Sequence, residues 1–214
     1  MPNFVTAAAI SLAIVLAVPG CKIIKTPTPE EAAEAASGGF NPDRQVAEVW
    51  EAKVIPFLET RAGTFQEVSA LSKSDLDAAA AKYGHKEKDG TAPWTFAAKV
   101  SGTIVKAETK SRAAYLDTDV DGDGKADVRV QIGPVIKGTA IRDSLDFVNF
   151  NEFKNQIQWA EFGKAFNIHV NGLTLEKLPR EGLEGEHVEA LGAYPLPSAG
   201  QPALLTPATI TIGG

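Results

Sequence analysis

The chain has 214 residues, a net charge of −6 at neutral pH, 44% hydrophobic residues and a single cysteine. That length and hydrophobic share suffice for one sizeable core. A lone cysteine excludes an intrachain disulfide, and a mildly acidic balance without a basic stripe argues against a nucleic-acid partner.

The stretch from Phe4 to Val18 is apolar and uncharged, and it closes in Val18-Pro19-Gly20-Cys21. At about 15 residues it falls short of the roughly 20 needed to span a bilayer. A pure Ala/Ile/Leu/Val run at the N-terminus reads as a processed segment rather than a core helix. Small residues directly before the cysteine resemble a lipobox. Residues 1–20 are therefore expected to be a lipoprotein signal peptide, with Cys21 lipidated and becoming the new N-terminus. The leading Met1-Pro2-Asn3 departs from the usual pattern, because it carries no Lys or Arg. One acyl chain binds a membrane only marginally, so several chains of the palmitate kind are expected at Cys21. The implied location is the periplasmic side of a bacterial envelope, lipid-anchored to the inner or the outer membrane.

Residues 21–40 read as a tether. They hold a Thr-Pro-Thr-Pro stretch, a Glu/Ala run and Ser37-Gly38-Gly39, with too few apolar residues to pack. Residues 41–90 read as a helical segment. Val46, Val49, Trp50, Val54 and Phe57 recur at spacings of three and four, behind Asn41-Pro42-Asp43 as a start signal. Pro56 is expected to kink or end that helix. A second helical stretch runs from Thr64 to Tyr83, with Ser74-Asp75 as a recapping point and Gly84 as its stop.

The pattern changes at residues 91–214. Strands are expected from Trp94 to Glu108 with a bend at Gly102, from Ser111 to Leu116, over Asp127–Ile132, over Glu186–Tyr194 and over Ala208–Ile212. A helix is expected from Asn151 to Phe166, closing one end of the sheet. The fold class is α+β: N-terminal helices followed by an OB-like antiparallel β-barrel in the order β-β-β-α-β-β. An unrelated α+β sheet shares that element string.

Between the second and third strands lies Asp119-Val-Asp121-Gly-Asp123-Gly-Lys125-Ala-Asp127. Calcium takes six to eight oxygen ligands in flexible geometry. A curled loop can offer the carboxylates of Asp119, Asp121, Asp123 and Asp127 with the backbone carbonyl of Lys125. The spacing is not that of an EF-hand, whose twelfth position is a Glu; here it is Val130. It is more similar to the short calcium loops of integrin-type β-propeller blades. Asp117 is either a further ligand or a solvated charge. An acidic hairpin turn is the alternative, since Asp-Gly is itself a strong turn signal.

Two later stretches are distinctive: Gln131-Ile-Gly-Pro-Val-Ile-Lys-Gly-Thr-Ala-Ile-Arg-Asp143 and Phe147-Val-Asn-Phe-Asn-Glu-Phe-Lys-Asn-Gln-Ile157. With the Cys21-Lys22-Ile23 start they resemble a family of predicted bacterial periplasmic lipoproteins of unknown function, over nearly all of the mature chain. Members are often encoded beside sugar ABC transporters. The resemblance therefore implies a transport-linked role, with a transporter component or a sugar as partner, and it carries no catalytic residues.

Arg142 and Asp143 read either as a local ion pair or as a polar pocket that presents a guanidinium fork to a carboxylate or to sugar hydroxyls. Asn149, Asn151, Asn155 and Gln156 lie near Phe150, Phe153 and Trp159, a mix that suits sugar binding as well as caps and core. Arg142, Asp143, Asn155 and Gln156 are the candidate ligand residues. His85, His169 and His187 fall on separate elements without zinc spacing. No G-x-S-x-G, phosphate-loop, dinucleotide or H-E-x-x-H motif occurs. The leading expectation is a non-enzymatic binding or accessory module. An envelope hydrolase with an unrecognised site is the alternative.

Overall fold

The computed structural model describes residues 28–29, 38–87 and 91–213. Cys21, the signal peptide and nearly all of the tether lie outside the described residues. Phe40–Gly214 forms one unit with a common core.

Helix α1 covers Pro42–Val49, and Asn41 caps it by accepting from the Arg44 amide at 3.1 Å. Pro56 does not end the helical path. A π-type turn over Trp50–Val54 precedes it, and α2 continues over Ile55–Arg61. Proline lacks an N–H and its ring crowds the carbonyl four residues back, so widening the turn just before it relieves the clash. A two-residue strand β1, Gly63–Thr64, leads into α3, Phe65–Ser74. Thr64 and Glu67 form a reciprocal capping box there. Asp75 ends α3 and caps α4, Leu76–Tyr83, by accepting from the Ala78 amide at 3.0 Å. Gly84–His85 is β2.

The barrel strands are β3 (Thr95–Glu108), β4 (Tyr115–Asp119), β5 (Val128–Gln131), β6 (His187–Pro195) and β7 (Ala203–Ile212). β3 pairs antiparallel with β4, and β4 with β5. β5 pairs parallel with β7, β7 antiparallel with β6, and β6 antiparallel with β3. The ring closes as a five-stranded barrel with its helices between the third and fourth strands, the order expected of an OB-fold. Phe96, Ile104, Leu116, Val130, Val188 and Leu205 are buried in its core.

Four features differ from the sequence-based expectation. The helix expected over 151–166 runs over Gln156–Leu173, because Asn155 caps it and Phe150–Glu152 forms a separate 3-10 turn. The second strand, expected over 111–116, lies at Tyr115–Asp119. Residues 109–113 are the turn instead: Glu108 Oε1 accepts from the amides of Lys110 and Ser111, and Ser111 Oγ from that of Ala113. The fifth strand starts at Ala203 rather than Ala208. Pro207 conceals this, because it sits where the β6–β7 register slips between Leu191 and Gly192, the kind of irregularity at which a strand tolerates proline. The crossover from β5 to β6 holds two helices rather than one: α5, Ala140–Ser144, and α6, Gln156–Leu173. α5 lies on β3, β6 and β7, whereas α6 packs chiefly on α1. Covering the strands thus falls to the short helix.

Barrel curvature depends on two glycines. A Cβ at Gly102 would stand 2.2 Å from the carbonyl oxygen of Asp119, and one at Gly192 would stand 2.2 Å from that of Thr206. Both obstacles are backbone and cannot swing aside. Gly102→Ala is expected to cost about 1–3 kcal/mol by overpacking. Urea unfolding should show a lower midpoint at unchanged slope; an unshifted midpoint would contradict this account of the corner.

Candidate functional site

The loop between β4 and β5 gathers three of the four predicted aspartates. Asp119, Asp121 and Asp127 each place a carboxylate oxygen within 4.8 Å of the others. Oxygens that share one calcium at about 2.3–2.6 Å lie no more than about 5 Å apart, so this trio fits a single ion. The loop amides already shape the site. Asp119 Oδ1 accepts from Asp121 and Gly122 at 3.2 and 2.7 Å, and Oδ2 accepts from Gly124 at 2.8 Å. Asp127 Oδ2 accepts from Val120 at 2.9 Å. Gly122 and Gly124 take φ near +83°, which lets the chain curl around Asp119.

The amides of Gly122 and Gly124 hold the Asp119 carboxyl below its usual range, against an opposing desolvation effect. The pKa is depressed in the folded state. The stabilisation is therefore complete above the ordinary aspartate pKa and is lost as pH falls through the depressed one.

Asp123 stands apart from the trio. Its Oδ1 accepts from the Lys125 amide at 2.8 Å, and its Oδ2 faces Lys125 Nζ at 3.1 Å. Asp117 is neither a ligand nor a solvated charge. Arg129, opposite it in the β4–β5 ladder, grips both its oxygens at 2.8 and 3.0 Å and covers the Tyr115 ring at 3.7 Å.

The second cluster lies in the crossover. Arg142 is buried on α5. Its Nε donates to Asp143 Oδ1 at 2.9 Å, Nη1 to the Trp159 carbonyl at 2.7 Å, and Nη2 to Asp143 and to Thr139 Oγ1 at 3.0 Å. The guanidinium also stacks 3.8 Å from the Trp159 ring centroid. Asp143 accepts from Thr139 Oγ1 at 2.6 Å, and its backbone carbonyl meets His85 Nδ1 at 2.9 Å. The fork is thus engaged within the protein. Asn155 is likewise engaged: it caps α6, accepting from Ile157 and Gln158 at 3.0 Å each. Gln156 is the exposed first residue of that helix. Arg142 reaches the first turn of α6, which Asn155 caps, through Trp159.

Sequence reasoning singles out Trp159 but not its pairing with Arg142, and it misses Thr139 as a partner and Gly163 as the point of close approach. A Cβ at Gly163 would stand 2.6 Å from Arg142 Nη1 and from Thr139 Cγ2. Glycine inside a helix costs about 0.5–1 kcal/mol relative to alanine, so its place mid-helix is the available signal of a close approach. The remaining histidines lie elsewhere. His169 stacks on Trp50 at 4.8 Å, and burial pushes its pKa down. His187 Nε2 lies 3.0 Å from Ser101 Oγ on the outer face of β3 and β6.

Comparison with known proteins adds two findings to this geometry. Residues 11–211 match the model of a family described as predicted periplasmic lipoprotein (DUF2291). The crystal structure of an OB-fold protein from Thermotoga maritima, determined at 1.90 Å resolution, superposes with a TM-score of 0.59 at 19% identity, covering 81% of this chain and 99% of that one. At that identity the likeness shows the fold alone. No curated protein matches the sequence.

Arg142→Lys keeps the charge but loses the planar fork. It is expected to lower stability by about 2–3 kcal/mol, the scale of lost hydrogen bonds to a charged group, with unfolding monitored by the Trp159 environment. Stability within error of wild type would show that the cluster does not hold the crossover.

Proposed function

The chain belongs to the DUF2291 family of predicted periplasmic lipoproteins, and on that footing we propose that it is a non-enzymatic accessory module, held in the envelope by lipid on Cys21, that serves a sugar ABC transporter. The family places it on the periplasmic side of the bacterial envelope with a membrane anchor. The observation that carries the reading is where the polar groups go. Arg142, Asp143, Asp117, Arg129 and Asn155 are all engaged by partners inside the protein, and the barrel interior is filled with apolar side chains. That arrangement leaves the outer surface as the place where the protein would act, which suits a binding role. The resemblance to lipoproteins encoded beside sugar transporters supports the partner class: a transporter component or the sugar itself.

A hydrolase is the second reading, favoured by the contact between Ser101 and His187. Among the described residues no carboxylate bonds the other imidazole nitrogen. The pair therefore lacks the orienting group that such a nucleophile and base require, and the non-enzymatic reading is preferred.

Full-length protein labelled with a fatty-acid analogue and captured from detergent-solubilised membranes should bring transporter subunits with it, and Cys21→Ser should take up no label. Equal labelling of both proteins would overturn the anchor. Capture without any transporter component would overturn the transporter link.

The acidic loop is read as a structural calcium site. Asp119, Asp121 and Asp127 would hold the ion, joined by Asp123 once it turns from Lys125, and by the Lys125 carbonyl. The bound cation would offset the repulsion of clustered carboxylates and fix β4 against β5. An ion bound only to the native state stabilises it by about 2.7 kcal/mol at a hundredfold excess over Kd. Calcium should raise the melting temperature more than magnesium does, and a chelator should reverse the gain. Asp121→Ala with Asp123→Ala should abolish the response while leaving a cooperative transition. A calorimetric titration that stays flat at millimolar calcium would leave the loop as an acidic hairpin.

A further inference from the structure

We infer that the cavity bounded by the end of α2, helix α4 and the loop after α5 is a binding site for a neutral, hydroxyl-rich ring, the chemistry of a free sugar. This rests on the reading of the protein as a binding module and locates the site on it. The cavity measures about 760 Å³, within the roughly 300–1,000 Å³ of small-molecule pockets. Arg61, Asp77, Trp94, Asp146, Asn149 and Asn151 line it.

These side chains differ from the polar groups described above. Asn155 and Asp143 have their side chains taken by protein partners. The side chains of Asp77, Asp146, Asn149 and Asn151 are exposed and make no hydrogen bond within the described protein. Arg61 Nη2 donates to the Gly84 carbonyl at 2.7 Å, which fixes the guanidinium against β2, while its buried Nε has no partner among the described residues. Trp94 is half-buried against the core and forms part of the wall.

The donors and acceptors define the ligand. Two amides offer both functions, and the carboxylates only accept. Charges along the wall nearly cancel: Arg61 and Lys86 stand against Asp77, Glu87 and Asp146. A strongly charged ligand would meet like charge on one side. A polyol meets both functions it needs, since each hydroxyl donates and accepts, and its C–H face suits an aromatic platform. The floor is held firm, because His85 is bonded to the Asp143 carbonyl and through it to the Arg142 cluster.

The test is titration of full-length protein in detergent with aldohexoses and aldopentoses, with glutamate as a charged control, read by calorimetry. At least one sugar should bind. Trp94→Ala should weaken that binding about tenfold or more. Asn149→Ala with Asn151→Ala should do the same, and both residues are exposed, so that variant tests the site independently of the fold. Glu161→Ala, exposed on α6 away from the cavity, should change nothing. No binding at millimolar sugar, binding of glutamate in place of sugars, or binding that survives both pocket variants would each overturn the proposal. Transporter subunits captured without sugar binding would remove this site and leave the accessory role. Sugar binding without capture would do the reverse.

Discussion

The parallel ladder between β5 and β7 governs the rest of the architecture. It is short, pairing Val128, Arg129 and Val130 with Ala203, Leu204 and Leu205. Antiparallel neighbours can be joined by tight turns, but strands that run the same way cannot, and the chain must travel outside the sheet between them. Here it does so through Ile132 to Glu186, and that excursion contains α5, α6 and the Arg142 cluster. The excursion must be held against the barrel without strand pairing of its own. Buried Gln131 makes the first tie, since its amide donates to Thr206 Oγ1 at 2.9 Å and accepts from the Lys137 amide at 2.8 Å. Arg142 makes the second by joining α5 to α6. Arg180 makes the third, donating to the carbonyls of Ile132 and Leu175 at 2.8 and 2.9 Å. Three polar side chains, each bonded at more than one point, thus staple the segment, and backbone bonds at its two ends, from Ile132 and Gly133 to the Ala114 carbonyl and from Gly185 to that of Ile104, add to them.

This division of labour gives the first of the distinctive stretches a structural role of its own. Gln131, Gly133, Arg142 and Asp143 all serve the crossover. Gly133 passes so close to the preceding turn that a Cβ would lie 2.3 Å from the Arg112 carbonyl oxygen. Residues under this much geometric constraint tolerate little change whether or not a ligand exists. The acidic loop shows the complementary case. Its aspartates have a local structural role, because loop amides point at Asp119, yet the same curl directs oxygens from Asp119, Asp121 and Asp127 toward one point.

Much of the fold is legible in the sequence because local signals agree with the tertiary result. Asn41-Pro42, Thr64 with Glu67, Asp75 and Gly84 mark helix ends by chemistry that acts within a few residues. Gly102 and Gly192 mark bends in strands that otherwise read as β. What stays hidden is decided at long range. Asp117 looks like part of the acidic run until the ladder places Arg129 opposite it. Pro207 hides half of β7 because only the register slip makes proline acceptable there. Helix α5 is five residues long, too short to show a period. Asn149 and Asn151 stand out in the sequence beside Asn155, but Arg61, Asp77 and Trp94, which line the same cavity, come from elements far earlier in the chain.

Closure of the ring has a consequence for life at a membrane. Tethering by lipid confines copies of the domain to a plane, where encounters between neighbours are frequent. A sheet with a free edge would offer unpaired amides and carbonyls to each neighbour and invite strand addition and aggregation. In this barrel β3, β4, β5, β6 and β7 each have a partner on both sides. Closure therefore leaves less open backbone for a neighbouring copy to pair with, and what remains includes the outer half of β7, where Thr206–Ile212 pairs with β6 alone.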